Sequence, residues 1–306
     1  MRVLATTLAL VATALATPSA VAAPPDYGLP STHPVAYSDV TAVVGGRSVP
    51  ARVHYPATAA GTNQPVAAGR FPAIAFGHGF FQATSKYTST SNHLASWGFV
   101  VVVPTTQGGL SPNHGTFADD LNTGLSWLVA QDTTAGSRFR DHISTAALGV
   151  AGHSMGGGAA VLAAARNPRI TAVSTYAAAE TTPSARAAAA SLAAPAQFLA
   201  GSQDTITPVG EHQRPMFTAK PPAKQLRTIT GGFHCGFMDS SGLFCDNGSI
   251  TRAAQLVAAK RVMTSWFRHY LAGDAAARDF VWGQPARTDA AVVFEGTEQP
   301  GAEPQR

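Results

Sequence analysis

The stretch ALGVAGHSMGGGAAVLAAA, residues 147–165, decides the fold. An apolar run at 147–151 has strand character, and an alanine-rich helix follows a serine flanked by glycines. The pattern G-x-S-x-G at such a corner predicts a strained turn that exposes the hydroxyl of Ser154 at the carboxyl edge of a sheet. We expect glycine at positions Gly152 and Gly156 because the helix passes so close to the strand that a β-carbon would clash. The alternative is a glycine-rich packing turn without chemistry.

Strands and helices alternate along the rest of the chain. Strands are predicted at 49–55, 71–76, 99–103, 147–151, 170–176, 196–200 and, as the last strand, 225–229. Helices are predicted at 89–97, 117–131, from Ser154 to Arg166, 184–194, 211–218 and 251–271. Residues 23–47 and 57–69 are interpreted as surface loops. This alternation predicts an α/β fold with a mostly parallel, doubly wound sheet and helices on both of its faces.

The two ends of the chain differ in composition from the middle. Arg2, the apolar run 3–16, Pro18 and the Ala-Val-Ala at 20–22 are typical of an export signal cleaved after residue 22. An N-terminal anchor or a buried helix is the alternative. We expect one domain at 23–290 and a flexible tail at 291–306.

Composition excludes several classes of protein. The chain of 306 residues is 45% apolar and only 12% charged, with a net charge of +4, which argues against a disordered chain or a nucleic-acid binder. The two cysteines, Cys235 and Cys245, predict a disulfide in an exported protein, with two free buried thiols as the alternative. We expect no metal site and no cofactor.

A serine hydroxyl needs a base, and the base needs a carboxylate that orients it. Asp204 follows a predicted strand, and His234 follows the next one, so both should lie at the same sheet edge as Ser154. The order serine, acid, histidine along the chain is the order that this architecture uses. A turn aspartate and a polar loop histidine are the alternatives. The competing residues lie in helices, beside the serine or after the histidine: His212, His269, His153, Asp239 and Asp246.

An oxyanion intermediate also needs hydrogen-bond donors. The backbone N–H of Met155, at the start of the helix, is one candidate. The loop after the strand at 71–76 offers the second, which we assign to the N–H of Phe80. We interpret His78 as a residue that supports this loop.

Five segments carry a resemblance to a known family: FPAIAFGHGFF, WGFVVVVPTT, VAGHSMGGGAA, AGSQDTITP and GGFHCGF. Across about residues 70–240 the chain resembles the α/β-hydrolase superfamily. More narrowly, it resembles the secreted bacterial cutinases and polyester (PET) hydrolases, which border on dienelactone-hydrolase-like and chlorophyllase-like proteins. The resemblance implies the triad Ser154, Asp204 and His234 and an oxyanion hole at Phe80 and Met155. It also implies that the aromatic of the oxyanion loop and the methionine after the serine line the acyl cleft.

The substrate side of the site follows from this placement. We expect these residues to bind substrate: Phe80, Phe81, Met155, Tyr176, Phe237 and Met238. Polyester hydrolases carry a tryptophan in the region that reads TYAAAETTP here, where Tyr176 is the nearby aromatic residue. We see no segment long enough to form a large cap domain.

The sequence therefore predicts a secreted, monomeric serine ester hydrolase acting on short- to medium-chain esters, with polyesters as a further class of substrate. Its partner is an ester substrate, with no nucleic acid and no membrane span. A peptidase or amidase using the same triad is one alternative. A non-catalytic binding protein on a hydrolase scaffold is the other.

Overall fold

A computed structural model describes residues 25–242 and 245–298 of the chain. Its sheet contains these strands: β1 (Val35–Val44), β2 (Arg47–Pro56), β3 (Gly61–Thr62), β4 (Phe71–Gly77), β5 (Val100–Pro104), β6 (Ile143–His153), β7 (Ile170–Tyr176), β8 (Ala196–Gly201), β9 (Lys224–Ile229) and β10 (Val292–Thr297). The strands lie in the order β10-β9-β8-β7-β6-β4-β5-β2-β1-β3. Strands β4 to β9 are parallel to one another, and antiparallel pairs flank them on both sides.

Helices connect the parallel strands and cover the sheet. They are α1 (Thr88–Ser96), α2 (His114–Gln131), α3 (Met155–Arg166), α4 (Ala185–Ala189), α5 (Gln213–Ala219), α6 (Arg252–Ala272), α7 (Ala277–Val281) and α8 (Gln284–Arg287). The predicted doubly wound α/β architecture is confirmed. Within 25–242 and 245–298, no helix is both long enough and apolar enough to cross a membrane.

The sheet has a separate hydrophobic core on each face. Along β4, Ala73 and Ala75 belong to the core beneath α2 and α3, whereas Ile74 and Phe76 belong to the core beneath α1 and α6. This division follows from the two-residue period of a strand, which points successive side chains to opposite faces. Because both faces are buried, the neighbouring strands β4 and β5 consist of continuous apolar runs, as expected for a parallel sheet.

Two predictions about the edges of the domain are wrong. The sequence predicts a surface loop over residues 23–47, but Val35–Val44 forms β1 and pairs with β2. The hairpin between them turns at Gly45 and Gly46, which both have positive φ, as a two-residue turn of this type requires. The flexible tail predicted at 291–306 contains β10, which pairs antiparallel with β9, so 225–229 is not the last strand. The predicted export signal, residues 1–22, lies outside the described residues.

Candidate active site

Ser154 occupies a strained corner between β6 and α3. Its backbone has φ 57° and ψ −123°, a conformation that residues with a side chain rarely adopt. The corner is held from both sides, because the Ser154 N–H donates to the carbonyl of Tyr176 at 2.9 Å and the N–H of Ala179 donates to the Ser154 carbonyl at 2.9 Å. A corner fixed in this way aims the serine side chain outward from the end of the strand.

Glycines are required at this corner for the reason that the sequence predicted. A β-carbon on Gly152 would lie 2.3 Å from the carbonyl oxygen of Gly156. One on Gly156 would lie 2.3 Å from the backbone of Gly77 in β4. Both distances are far inside van der Waals contact and involve backbone atoms, which cannot move aside cheaply. The helix can therefore approach the sheet only because both positions lack side chains.

The structure brings Asp204 and His234 together. Asp204 follows β8, and His234 begins a short 3-10 helix after β9. His234 Nδ1 lies 2.8 Å from Asp204 Oδ2, and both side chains are almost fully buried. The other oxygen, Asp204 Oδ1, accepts the backbone N–H groups of Ile206 at 2.9 Å and Thr207 at 2.7 Å. The carboxylate is thereby fixed in the orientation that receives the imidazole.

Thr207 completes this arrangement, and no pattern in the sequence pointed to it. Its hydroxyl oxygen lies 2.9 Å from Asp204 Oδ2 and 3.0 Å from His234 Nδ1. Gln213 donates to the same oxygen at 3.2 Å and anchors itself on the carbonyl of Ala178 at 2.8 Å. The contact between acid and histidine is therefore part of a buried polar network whose members hold one another in place.

Asp246 holds the backbone around the histidine. Its carboxylate accepts the N–H groups of His234 at 2.8 Å, Cys235 at 3.0 Å and Thr205 at 3.3 Å. It thus connects the loop of Asp204 with the loop of His234. The predicted disulfide between Cys235 and Cys245 is confirmed, and it brings the residue before Asp246 beside the residue after His234.

His153 is the other imidazole near the serine. Its Nδ1 lies 2.9 Å from the hydroxyl oxygen of Tyr87, and this hydroxyl accepts the N–H of Gly79 at 2.9 Å. Burial lowers the pKa of His153 well below its ordinary value, and the nearby His234 lowers it further. His153 is therefore neutral. Through Tyr87 it supports the loop that carries Phe80.

His78 fastens the other side of the same loop. Its Nδ1 lies 2.9 Å from the carbonyl oxygen of Gly79, and its Nε2 lies 2.7 Å from that of Thr106. The ring is 99% buried and faces away from solvent. These contacts agree with the interpretation of His78 as a support for the loop.

Ser154 and His234 line one cavity of about 530 Å³. Of the residues expected to bind substrate, Phe80, Phe81 and Met238 lie on its wall. The sequence did not point to several further wall residues: Gln82, Ala83, Lys86, Leu110, Ile206 and Gly242.

The remaining expected substrate residues lie elsewhere. Met155 is almost fully buried in the core beneath α2 and α3. Tyr176 and Phe237 are fully buried and stack on each other with ring centroids 5.0 Å apart, so they back the wall of the site instead of facing its interior.

The wall is mostly apolar, and its rim is open to solvent. Four large apolar side chains on it are unusually exposed: Phe80 at 46%, Phe81 at 51%, Leu110 at 74% and Ile206 at 42%. The backbone N–H of Met155 lies in the first turn of α3, where N–H groups have no partner within the helix. The arrangement offers a serine hydroxyl on the cavity wall, a buried acid–base pair beside it, unpaired N–H donors and an apolar surface for an acyl group.

A parallel α/β sheet with a serine at the strand–helix corner and a buried Asp–His pair beside it defines an α/β-hydrolase. The family model described as PETase: PET hydrolase-like matches residues 28–299, and the chain belongs to this family. The resemblance noted from the sequence is thereby confirmed.

Curated relatives match shorter stretches. The chain is 30% identical to Cutinase est1 of Thermobifida alba over 151 residues, which is 49% of this chain and 48% of that protein. It is 30% identical to Chlorophyllase-1 of Arabidopsis thaliana over 99 residues, 30% of this chain and 28% of that protein. It is 27% identical to Bis(hydroxyethyl) terephthalate hydrolase of Streptomyces coelicolor over 219 residues, 71% of this chain and 63% of that protein. The chain thus spans less than two thirds of each of these relatives.

Proposed function

We propose that the protein is an exported carboxylic ester hydrolase that works through an acyl-enzyme on Ser154. One observation carries the proposal: the serine at the strained corner shares a cavity with His234, whose Nδ1 is 2.8 Å from the Asp204 carboxylate. Membership in the PET hydrolase-like family supports the same chemistry. The predicted export signal and the disulfide support export, since disulfides persist in oxidising compartments.

The proposed reaction has two halves. His234 Nε2 takes the proton of the Ser154 hydroxyl as Oγ attacks the ester carbonyl, and the same proton then passes to the departing alcohol. Water repeats the sequence on the acyl-enzyme and releases the acid. Asp204 accepts the hydrogen bond from Nδ1–H throughout, so it selects the tautomer that leaves Nε2 free to act as a base. No hydrogen bond joins Ser154 Oγ to His234 Nε2 in the structure, and contacts of this kind often tighten only when substrate binds.

The N–H groups of Met155 and Phe80 would stabilise the oxyanion. The first sits at the N-terminal end of α3, where the helix dipole adds to the hydrogen bond. The second belongs to the loop that Tyr87 fastens through Gly79 and His153. Loss of one such donor typically reduces turnover by about 100- to 1000-fold.

The cavity favours apolar acyl groups. Its charged wall residue is Lys86, whose Nζ is already bound to the hydroxyl of Ser240 and the carbonyl of Ser241. Phe80 and Phe81 place phenyl rings on the cavity wall, whereas Tyr176 is fully buried and does not line the cavity. We therefore expect short- to medium-chain esters as the main substrates, and esters with an aromatic ring as a second class that Phe80 and Phe81 could contact.

Hydrolysis of p-nitrophenyl butyrate tests the proposal. We expect activity in the wild type, inactivation by a serine-directed phosphonate, and loss of both in Ser154→Ala. The matched control is Ser191→Ala, which removes an exposed hydroxyl remote from the cavity and should retain full activity. Ester hydrolysis that survives in Ser154→Ala would refute the assignment. Hydrolysis of peptides but not esters would favour an amidase, and inactivity on both would favour a binding protein.

A further inference from the structure

A second cavity, of about 370 Å³, lies between β9, α6 and the segment that leads into β10. Its wall includes Arg227 of β9, Arg261 and Ser265 of α6, Asp289 just before β10, and Asp26 near the start of the described chain. None of its lining residues also lines the cavity of Ser154. The chemistry of this second cavity is therefore independent of the proposed esterase site.

Arg227 is the unusual group in this wall. The residue is only 1% exposed, yet its Nε and Nη1 have no hydrogen-bond acceptor among residues 25–242 and 245–298. Its guanidinium carbon lies over the ring of Phe294, 5.2 Å from the ring centroid. Burial lowers the pKa of Arg227 to about 10, so the group still carries its charge at neutral pH. A buried cation with unpaired donors is costly unless something accepts its hydrogen bonds.

The carboxylates of the cavity do not supply that acceptor. Asp289 pairs with Arg261 through its Oδ2. Asp26 uses Oδ1 to accept a backbone N–H at 2.9 Å within its own turn. A further cation, Arg287, also lies over the Phe294 ring, with its guanidinium carbon 4.6 Å from the ring centroid. The neighbourhood therefore has more positive than negative side chains, and the charge of Arg227 is not balanced by a carboxylate of its own.

We propose that this cavity binds a small oxyanion, which accepts hydrogen bonds from the guanidinium groups of Arg227 and Arg261. A guanidinium presents its N–H donors in a planar fork that suits the paired oxygens of a carboxylate or a phosphate. The bound anion would connect β9, α6 and the segment that leads into β10. It would thereby stabilise the antiparallel edge of the sheet, because it binds the folded chain and not the unfolded one.

Thermal unfolding at pH 7.5 tests the proposal. Sodium phosphate in one series and sodium acetate in another replace sodium chloride at constant ionic strength. An anion at about ten times its Kd increases the ratio of folded to unfolded chain about 11-fold. For a domain of this size we expect Tm to be higher by about 2–4 °C at that concentration and to keep increasing with the logarithm of the anion concentration. A rise with phosphate alone identifies a tetrahedral oxyanion, and a rise with acetate identifies a carboxylate.

Three variants connect the rise to the cavity. Arg227→Met should abolish it. Arg261→Gln should weaken the apparent affinity for the anion about tenfold or more. Because the Arg261 side chain is more exposed than that of Arg227, this variant tests the proposal even if Arg227→Met does not fold. The control Arg278→Gln removes an exposed ion pair with Glu298 outside the cavity and should keep the full rise. No rise in Tm with either anion relative to chloride, or an equal rise in Arg261→Gln, would overturn the proposal.

Discussion

Replacing Asp246 with asparagine should slow ester hydrolysis far more than it weakens substrate binding. The Asp246 carboxylate accepts three backbone N–H groups, two of them from His234 and Cys235. An asparagine keeps one oxygen but turns an NH₂ group toward a backbone donor. The backbone at His234 would then lose part of the hydrogen bonding that positions the imidazole relative to Ser154. Because Asp246 does not line the cavity, the binding of the acyl group should change little.

The size of the effect follows from these hydrogen bonds. A hydrogen bond to a charged acceptor contributes about 1.5–3 kcal/mol, and the lower end applies here because Asp246 is half-buried. One or two lost bonds that act on the position of His234 would raise the barrier by about 1.5–3 kcal/mol. That corresponds to a decrease in kcat of about 10- to 100-fold, since each 1.4 kcal/mol is a factor of ten.

The assay measures kcat and KM for p-nitrophenyl butyrate in the wild type and the variant. It also measures the rate at which a serine-directed phosphonate modifies each protein. Asp246→Asn should reduce kcat and the modification rate by a similar factor and leave KM within about twofold. The control is Asp274→Asn, which removes a carboxylate that also accepts backbone N–H groups but lies at the end of α6, far from the site. It should lower Tm and leave kcat unchanged. A wild-type kcat in Asp246→Asn, whatever its Tm, would refute the reasoning.

Three further outcomes are expected. Reduction of Cys235–Cys245 should lower the free energy of unfolding by about 2–3 kcal/mol and reduce kcat, because the bridge holds the histidine loop; an unchanged Tm under reductant would contradict a structural bridge. Burial lowers the pKa of His54 and His93 to about 4 in the folded chain, whereas both titrate near 6.5 when unfolded. The unfolded chain therefore binds more protons between these values, so stability should decrease as pH falls from about 6.5 to 4, by about 2 kcal/mol for each histidine at pH 4.5. Urea unfolding at pH 7.5 and 4.5 measures this loss, His93→Gln should reduce it, and a pH-independent midpoint would speak against buried neutral histidines. Gly156→Ala places a β-carbon 2.3 Å from the backbone of the neighbouring strand and should destabilise the fold by about 3 kcal/mol with loss of activity; a variant with wild-type Tm and kcat would show that the corner can relax.

The core of the fold could be predicted from local sequence patterns. A parallel strand buried on both faces is expected to be a continuous apolar run, and such runs at 71–76 and 99–103 coincide with strands of the structure to within a residue. The corner at Ser154 was predictable for the same local reason, since the space for the helix depends on glycines a few positions away. The edge strands were missed because β1 and β10 are only half-buried, and their stability comes from pairing with partners that no local pattern identifies.

The sequence by itself determined the order of Ser154, Asp204 and His234 and their place at the ends of strands, because a parallel sheet collects such positions at one edge. Only the tertiary structure decided which side chains surround them. Tyr176 points into the core instead of the cavity, and Asp246 binds the histidine backbone from twelve residues away. These choices depend on how separate segments pack and on the hydrogen bonds that their buried groups must find. The spacing of residues within one segment does not encode which side chains surround the three residues. Their surroundings are determined only when the separate segments pack together.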